Sequence, residues 1–291
     1  MRSEDEVGGV ARVAIAIVAM IFLASQSRAA PRRIVSLNLC TDEILLDLVP
    51  PDRIAAVSHL AADPLVSAVA DRALSLPSTR GEAESVLALD PDLILAGTWT
   101  TPATLDLLER IGRRVVRVPS TSDLDGIRDA IRQVAAVVDE VEKGEALIRS
   151  FEADLEAARA GHRTGRPPPS ALVYQVNGLS AGPGSLADTL IRAAGLTNHA
   201  ETLGLGAGGA LPLEVLAASP PDLVILSGPA DEYRTVLAEN LRHPALAAVL
   251  ATHASVTIPW RLWLCGTHYA GKAVRRMADA RRRLDDRGRA R

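Results

Sequence analysis

Glu84–Leu95 reads ESVLALDPDLIL, and Glu214–Leu226 reads EVLAASPPDLVIL. The second phrase repeats the first after 130 residues, counted from Pro91 to Pro221. With those prolines superposed, Glu84 meets Glu214, Val86 meets Leu216, Ala88 meets Ala218 and Asp92 meets Asp222. Leu93-Ile94-Leu95 then faces Leu223-Val224-Ile225. Each phrase predicts a short helix, a Pro-Asp break and a buried strand. Pro-Asp-Leu ahead of an apolar run is a common helix-to-strand turn, so a single copy carries little. Two copies with Glu at the same spacing point to duplication. The expectation is two similar α/β lobes, with a ligand held between them.

The flanking sequence supports that reading. Ile34–Leu37, Ile54–Val57 and Val115–Val118 are β-branched apolar runs in the first half, and Ala171–Val176 and Ser255–Ile258 match them in the second. Between them lie helical patterns: from Thr41-Asp42-Glu43 to Val49, Thr104–Ile111, Leu186–Ala194, Tyr233–Asn240 and Tyr269–Leu284. Alternation of this kind gives mostly parallel sheets covered by helices. Residues 123–160 differ. Ile127, Ile131, Val134, Val138, Leu147, Phe151 and Leu155 recur at helical spacing, and Ser122 or Asp123 offers a cap. This stretch predicts one or two long helices before Gly161–Ser170 (GHRTGRPPPS) breaks the pattern. The expected layout is a leader over 1–29, an N-terminal lobe over 32–122, a connecting helical segment over 123–160, a C-terminal lobe over 171–284 and a basic tail over 285–291.

The leader rests on Val13–Ala24, a 12-residue apolar run followed by Ser27-Arg28-Ala29. It is short for a membrane span, which needs ~20 residues, and has the length of a signal-peptide core. Retention as an anchor is the alternative. The chain has 291 residues and a net charge of −3 with both signs mixed, which argues against a nucleic-acid surface. It contains two cysteines, Cys40 and Cys265, which an exported protein can join or keep as separate buried thiols.

Several further stretches resemble a known family. They are Arg33–Asn38 (RIVSLN), Gly81–Leu89 (GEAESVLAL) with Pro91–Ala96 (PDLILA), Ala181–Leu186 (AGPGSL), Ala194–Asn198 (AGLTN) and the second Pro221-Asp222-Leu223. In order and spacing they resemble the helical-backbone class of periplasmic substrate-binding proteins, which serve ABC importers for cobalamin, iron-siderophores and haem. The resemblance covers nearly the whole mature chain. It implies two Rossmann-like lobes joined by a single long helix, ligand in the cleft between them, and a monomer working with an inner-membrane ABC permease. It implies no catalysis and no resident cofactor.

Ligands of α/β sheets sit beyond the carboxyl ends of strands. Trp99 follows the strand at 93–96, Trp260 and Trp263 follow the strand ending at Ile258, and Tyr174 lies in the first strand of lobe two. In the resembling family, aromatic residues in such loops contact ligand, which supports Trp99 and one or both of Trp260 and Trp263. Arg80 and His59, with Arg261, suit an anionic chelate. Cys40 and Cys265 both fall in loops bordering the inferred cleft, where they can form a disulfide, remain free thiols or grip a metal centre in the ligand. By the same resemblance Glu214 occupies the lobe-two position that docks on the permease. Lobe one has Pro102-Ala103 at the corresponding place, so Glu84 or Asp106 is the expected substitute. A metal-ion binder using His59, Asp63 and His268 is the alternative, although no His-x-His or Cys-x-x-Cys occurs. For an enzyme, Gly206-x-Gly-Gly lacks the phosphate-loop pattern, Gly184-Ser185 lacks a nucleophile elbow, and Thr267-His268-Tyr269 has no acid close in sequence.

Overall fold

The computed structural model describes residues 29–160, 167–228 and 235–287. The first lobe is built on β1 (Ile34–Ser36), β2 (Ile54–Ser58), β3 (Ser78–Thr79), β4 (Leu93–Gly97) and β5 (Val115–Val118). They form one parallel sheet in the order β3-β2-β1-β4-β5. The second lobe contributes β6 (Ser170–Tyr174), the short antiparallel pair β7 (Leu179–Ser180) and β9 (Gly209–Ala210), then β8 (Thr197–Asn198), β10 (Leu223–Leu226) and β11 (Ala254–Thr257). Its main sheet is parallel, in the order β11-β10-β6-β8.

The two repeats occupy equivalent places. Helices Ala83–Ala88 and Leu213–Ala218 lead into β4 and β10, each the neighbour of its lobe's first strand. Even the repeated aspartates do the same work. Asp92 accepts hydrogen bonds from the backbone N–H groups of Arg32 and Arg33 at the entry to β1. Asp222 accepts from the N–H and hydroxyl of Ser170 at the start of β6. Each carboxylate therefore fixes where the lobe's first strand starts against the repeat strand. Every residue of β1 and β4 is buried, which explains their uninterrupted apolar character.

The described residues from Pro31 onward form one compact unit. The segment between the sheets is two helices, Leu124–Val137 and Val141–Arg159. Asp123 caps the first by accepting from Gly126 N–H at 2.7 Å, and Ile127, Ala130, Ile131, Val134 and Ala135 form its buried stripe. The break falls at Asp139, whose φ is +61°. Arg53 fixes it, donating to the carbonyls of Pro31 and Val138 and pairing with Glu140 at 2.7 Å. The single long connector is thus the 19-residue helix Val141–Arg159, about 28 Å long. It packs along the C-terminal helix Ala270–Arg287, with Arg275 bonded to Asp154. One buried apolar cluster runs from Ile34 and Leu93 through Phe151 and Leu155 to Val173 and Met277.

Three local readings change. The first helix starts at Leu39, ahead of Thr41, and Asn38 caps it; its side-chain oxygen accepts from Cys40 N–H. The helix expected over 233–240 lies partly outside the described residues, and within them a turn at Val236–Ala238 leads to Glu239–Arg242. A further helix, Pro244–Thr252, follows. The leader up to Arg28, the 161–166 part of the break and the tail beyond Arg287 lie outside the described residues.

Candidate functional site

In the first sheet the chain leaves β1 in one direction and returns through β4 on its other side. This strand-order reversal opens a crevice at the carboxyl ends of those strands. The crevice is a cavity of about 360 Å³. Asn38 to Thr41 line it from the end of β1, Gly97 to Trp99 from β4, and Pro119 to Thr121 from β5, with Leu264, Cys265 and Gly266 closing it from the second lobe. Among the described residues, no charged side chain lines it.

Backbone geometry prepares this site. Gly97 is required at the end of β4, because a Cβ there would lie 2.6 Å from Asn38 Nδ2. The loop beyond it is tied at both ends. Thr100 Oγ1 accepts from Gly97 N–H, and Thr98 Oγ1 accepts from Ser120 N–H in the loop after β5. Trp99 projects from this loop with 85% of its surface exposed. Trp99 and Leu60 also line an adjoining cavity of about 180 Å³, whose wall includes His59 and Arg80. The mouth therefore combines an uncharged recess, an exposed indole and a neighbouring cationic corner.

The remaining aromatic candidates lie elsewhere. Tyr174 is 1% exposed and packs in the second lobe with Leu172, Leu211 and Leu216. Trp263 is also buried, and its Nε1 donates to the Ile258 carbonyl at 3.3 Å. Trp260 packs half-buried against the main core. The turn at 260–262, held by Leu264 N–H to Trp260 O at 2.8 Å, directs both indoles inward. Arg261 donates to the Pro64 carbonyl in the first lobe.

Sequence reading offered a Cys40–Cys265 disulfide as one of three options but missed the rest of the seam between the lobes. Cys40 and Cys265 form a disulfide with Cα atoms 5.2 Å apart. The next four residues of the second lobe each meet the first lobe in turn. Gly266 packs on Thr121 so closely that a Cβ would overlap its hydroxyl. Thr267 Oγ1 donates to Glu43 Oε2 at 2.9 Å. His268 Nε2 lies 3.1 Å from Asp47 Oδ2, and the Tyr269 hydroxyl donates to the same oxygen at 2.8 Å while accepting from Arg72. The acid that Thr267-His268-Tyr269 lacks in sequence is thus supplied in space by helix Leu39–Leu48.

Burial sets the electrostatics behind the cavity. Asp42, shut in beneath Ser36 and Ser58, is pushed up to about 7 by loss of hydration, despite the hydrogen bonds it accepts. Glu43 is raised to about 8 for the same reason, with the charges of Asp42 and Asp47 adding to the effect. At Asp47 burial also acts upward, but His268, Tyr269 and Arg72 outweigh it and hold the carboxyl below its usual range. Burial and the Asp47 charge raise the Tyr269 phenol. Among the described residues no group of three or more His, Cys, Asp or Glu side chains is placed to hold a metal ion. His268 is committed to Asp47, so the set His59, Asp63 and His268 does not assemble.

The periplasmic binding protein family model matches residues 34–255. The chain belongs to that family. A cobalamin-binding protein of Halobacterium salinarum is 26% identical over 213 residues, covering 69% of this chain. The chain spans about half the length of that relative, 55% of it. The apo structure of the periplasmic heme-binding protein RhuT from Roseiflexus sp. RS-1 is 27% identical, with a TM-score of 0.69 over 86% of this chain and 98% of that one. The periplasmic vitamin B12 binding protein BtuF of Vibrio cholerae, at 20% identity, shares the fold with a TM-score of 0.66 over 87% and 98% of the two chains. The two-lobed α/β architecture is therefore that of a solute-binding protein. No helix of the described residues is long and apolar enough to cross a membrane.

Proposed function

We propose that this protein is a periplasmic carrier, not an enzyme, which binds a bulky corrinoid-like cargo in the cavity under Trp99 and delivers it to an ABC permease. The observation that carries this reading is the indole of Trp99. An 85% exposed Trp at the lip of an uncharged recess costs the free protein hydration free energy that a flat apolar ligand face would recover. Cobalamin- and heme-binding relatives support a tetrapyrrole-sized cargo. A recess of about 360 Å³ is at the small end of ligand pockets, so the cargo's remaining bulk lies against Trp99 and Leu60 outside it.

A haem or iron-siderophore is the second reading. It is favoured by His59 and Arg80 in the adjoining cavity, where carboxylate or hydroxamate oxygens would find cationic and hydrogen-bonding partners. The export reading rests on the family and on the apolar run of the leader, with cleavage near Ala29. Docking on the permease is assigned to Glu214 and Glu84. Both are exposed in the first turns of equivalent helices, one per lobe. Asp106 is less suited, being paired with Arg117 at 3.0 Å. The protein works as a monomer.

Equilibrium titration with cyanocobalamin and with haemin tests this. Saturable one-to-one binding of either supports the carrier reading and selects the class. Absence of binding by both removes the assignment of the cavity.

A further inference from the structure

The seam gives the second lobe five consecutive attachments to the first. On the first lobe, Cys40, Glu43 and Asp47 sit at i, i+3 and i+7, one face of helix Leu39–Leu48. The loop Cys265–Tyr269 runs along that face: Cys265 meets Cys40, Thr267 meets Glu43, and His268 and Tyr269 meet Asp47. The attachments differ in kind along this line. Those at Glu43 and Asp47 are hydrogen bonds and a close His268–carboxylate contact in buried surroundings. The one at the cavity end is covalent, and both of its cysteines line the cavity.

Thiol–disulfide exchange needs a thiolate to reach one sulfur. Cys265 is only 2% exposed, but Cys40 is half-buried and its free side belongs to the cavity wall. The ligand cavity therefore offers a reductant a route to this disulfide. We propose that the Cys40–Cys265 disulfide is a redox latch on the cavity: an external dithiol opens it, freeing the cavity end of the seam while the Glu43 and Asp47 end stays closed as a hinge. The exchange balances. One thiolate of the dithiol attacks Cys40 Sγ and displaces Cys265 as thiolate. The reagent's second thiolate then attacks the mixed disulfide and releases Cys40. Two electrons pass to the protein, the dithiol becomes a disulfide, and the two cysteine thiolates take protons from water. Cargo seated over Cys40 blocks the approach, so loading and reduction exclude one another. That last consequence rests on the cavity being the cargo site; the latch itself does not.

Hydrogen exchange of the full chain, oxidised and after reduction with dithiothreitol, tests the latch without any cargo. The expected result is at least tenfold faster exchange across Leu264–Thr267 and Leu39–Thr41 on reduction, with β6 unchanged. The double variant Cys40→Ser/Cys265→Ser should match the reduced protein. Unchanged exchange at the seam would overturn the proposal, because the other contacts would then hold the cavity end by themselves. Acceleration throughout both sheets would also overturn it, making the disulfide a staple of the whole fold. In a second arm, cyanocobalamin or zinc protoporphyrin, whichever binds, should slow reduction at least tenfold. A saturating bound probe that leaves the rate unchanged defeats the exclusion. If neither probe binds, the carrier reading fails while the first arm still decides the latch.

Discussion

Replacing Glu43 by Gln should flatten the pH dependence of stability, and the size of the effect follows from its surroundings. Glu43 is fully buried between its own helix, the turn at Ala68 and Thr267 of the second lobe. Its carboxyl rises from an ordinary 4.5 to about 8 in the folded protein. Between those values the native state keeps a proton that the unfolded chain has lost. Stability therefore falls as pH rises, by about 1.4 kcal/mol per pH unit from this group. Over pH 5 to 7 Glu43 removes about 3 kcal/mol, and Asp42, raised to about 7, acts in the same direction. Gln has no proton to lose, yet its carbonyl can accept from Ala68 N–H and its amide can donate to Thr267 Oγ1. Melting temperatures of cargo-free protein, measured from pH 5 to 8 at fixed ionic strength, read the difference. The wild type should lose about 5–10 °C more than Glu43→Gln between pH 5 and 7, taking about 2–4 °C per kcal/mol for a chain of this size. Parallel curves would refute the reasoning, because Glu43 would then ionise as freely in the fold as outside it.

Other substitutions separate cavity from core. Trp99→Ala should leave the melting temperature within a degree or two. It should weaken cargo binding about 70-fold, since a ligand covering about 100 Å² of the indole is worth about 2.5 kcal/mol; calorimetric titration with the bound class checks both. Trp263→Ala should do the reverse, costing about 3–5 kcal/mol of stability in a urea titration because the side chain is buried in the core. Gly97→Ala should cost about 2 kcal/mol, displacing Asn38 and with it the cap of helix Leu39–Leu48, and should lower affinity in the same titration. Glu84→Lys with Glu214→Lys should leave solution affinity unchanged and abolish permease-dependent uptake in reconstituted vesicles.

The repeat made the architecture legible because it encodes packing directly: apolar triplets at 93–95 and 223–225 become buried strands, and Asp92 and Asp222 fix the strands beside them. Strand ends were legible too, which is why Trp99 and Cys40 were placed beside the cleft; His59 and Arg80 were named only as partners for an anionic chelate. What the strand-end rule does not carry is direction. Trp260 and Trp263 also follow a strand, but the tight turn at 260–262 points their indoles into the core. Tyr174 ends a strand buried on both faces, so its polar tip gave no clue to exposure. Beyond the Cys40–Cys265 pair, which the sequence offered as one option, the seam was illegible for a different reason. Apart from Gly266 on Thr121, its pairs, from Cys40 with Cys265 to Asp47 with Tyr269, lie more than 220 residues apart in sequence. The signal that was available is the three carboxyls Asp42, Glu43 and Asp47 inside a largely apolar helix, since buried carboxyls need partners.

The most direct test of the account is the tryptophan fluorescence of the purified protein titrated with cyanocobalamin and with haemin, corrected for inner-filter absorption, in the wild type and in Trp99→Ala. The account predicts saturable one-to-one quenching by one of the two in the wild type, with the quenching lost or shifted to far higher concentration in the variant. Equal quenching in both proteins, or none from either ligand, would contradict the placement of the cargo beneath Trp99.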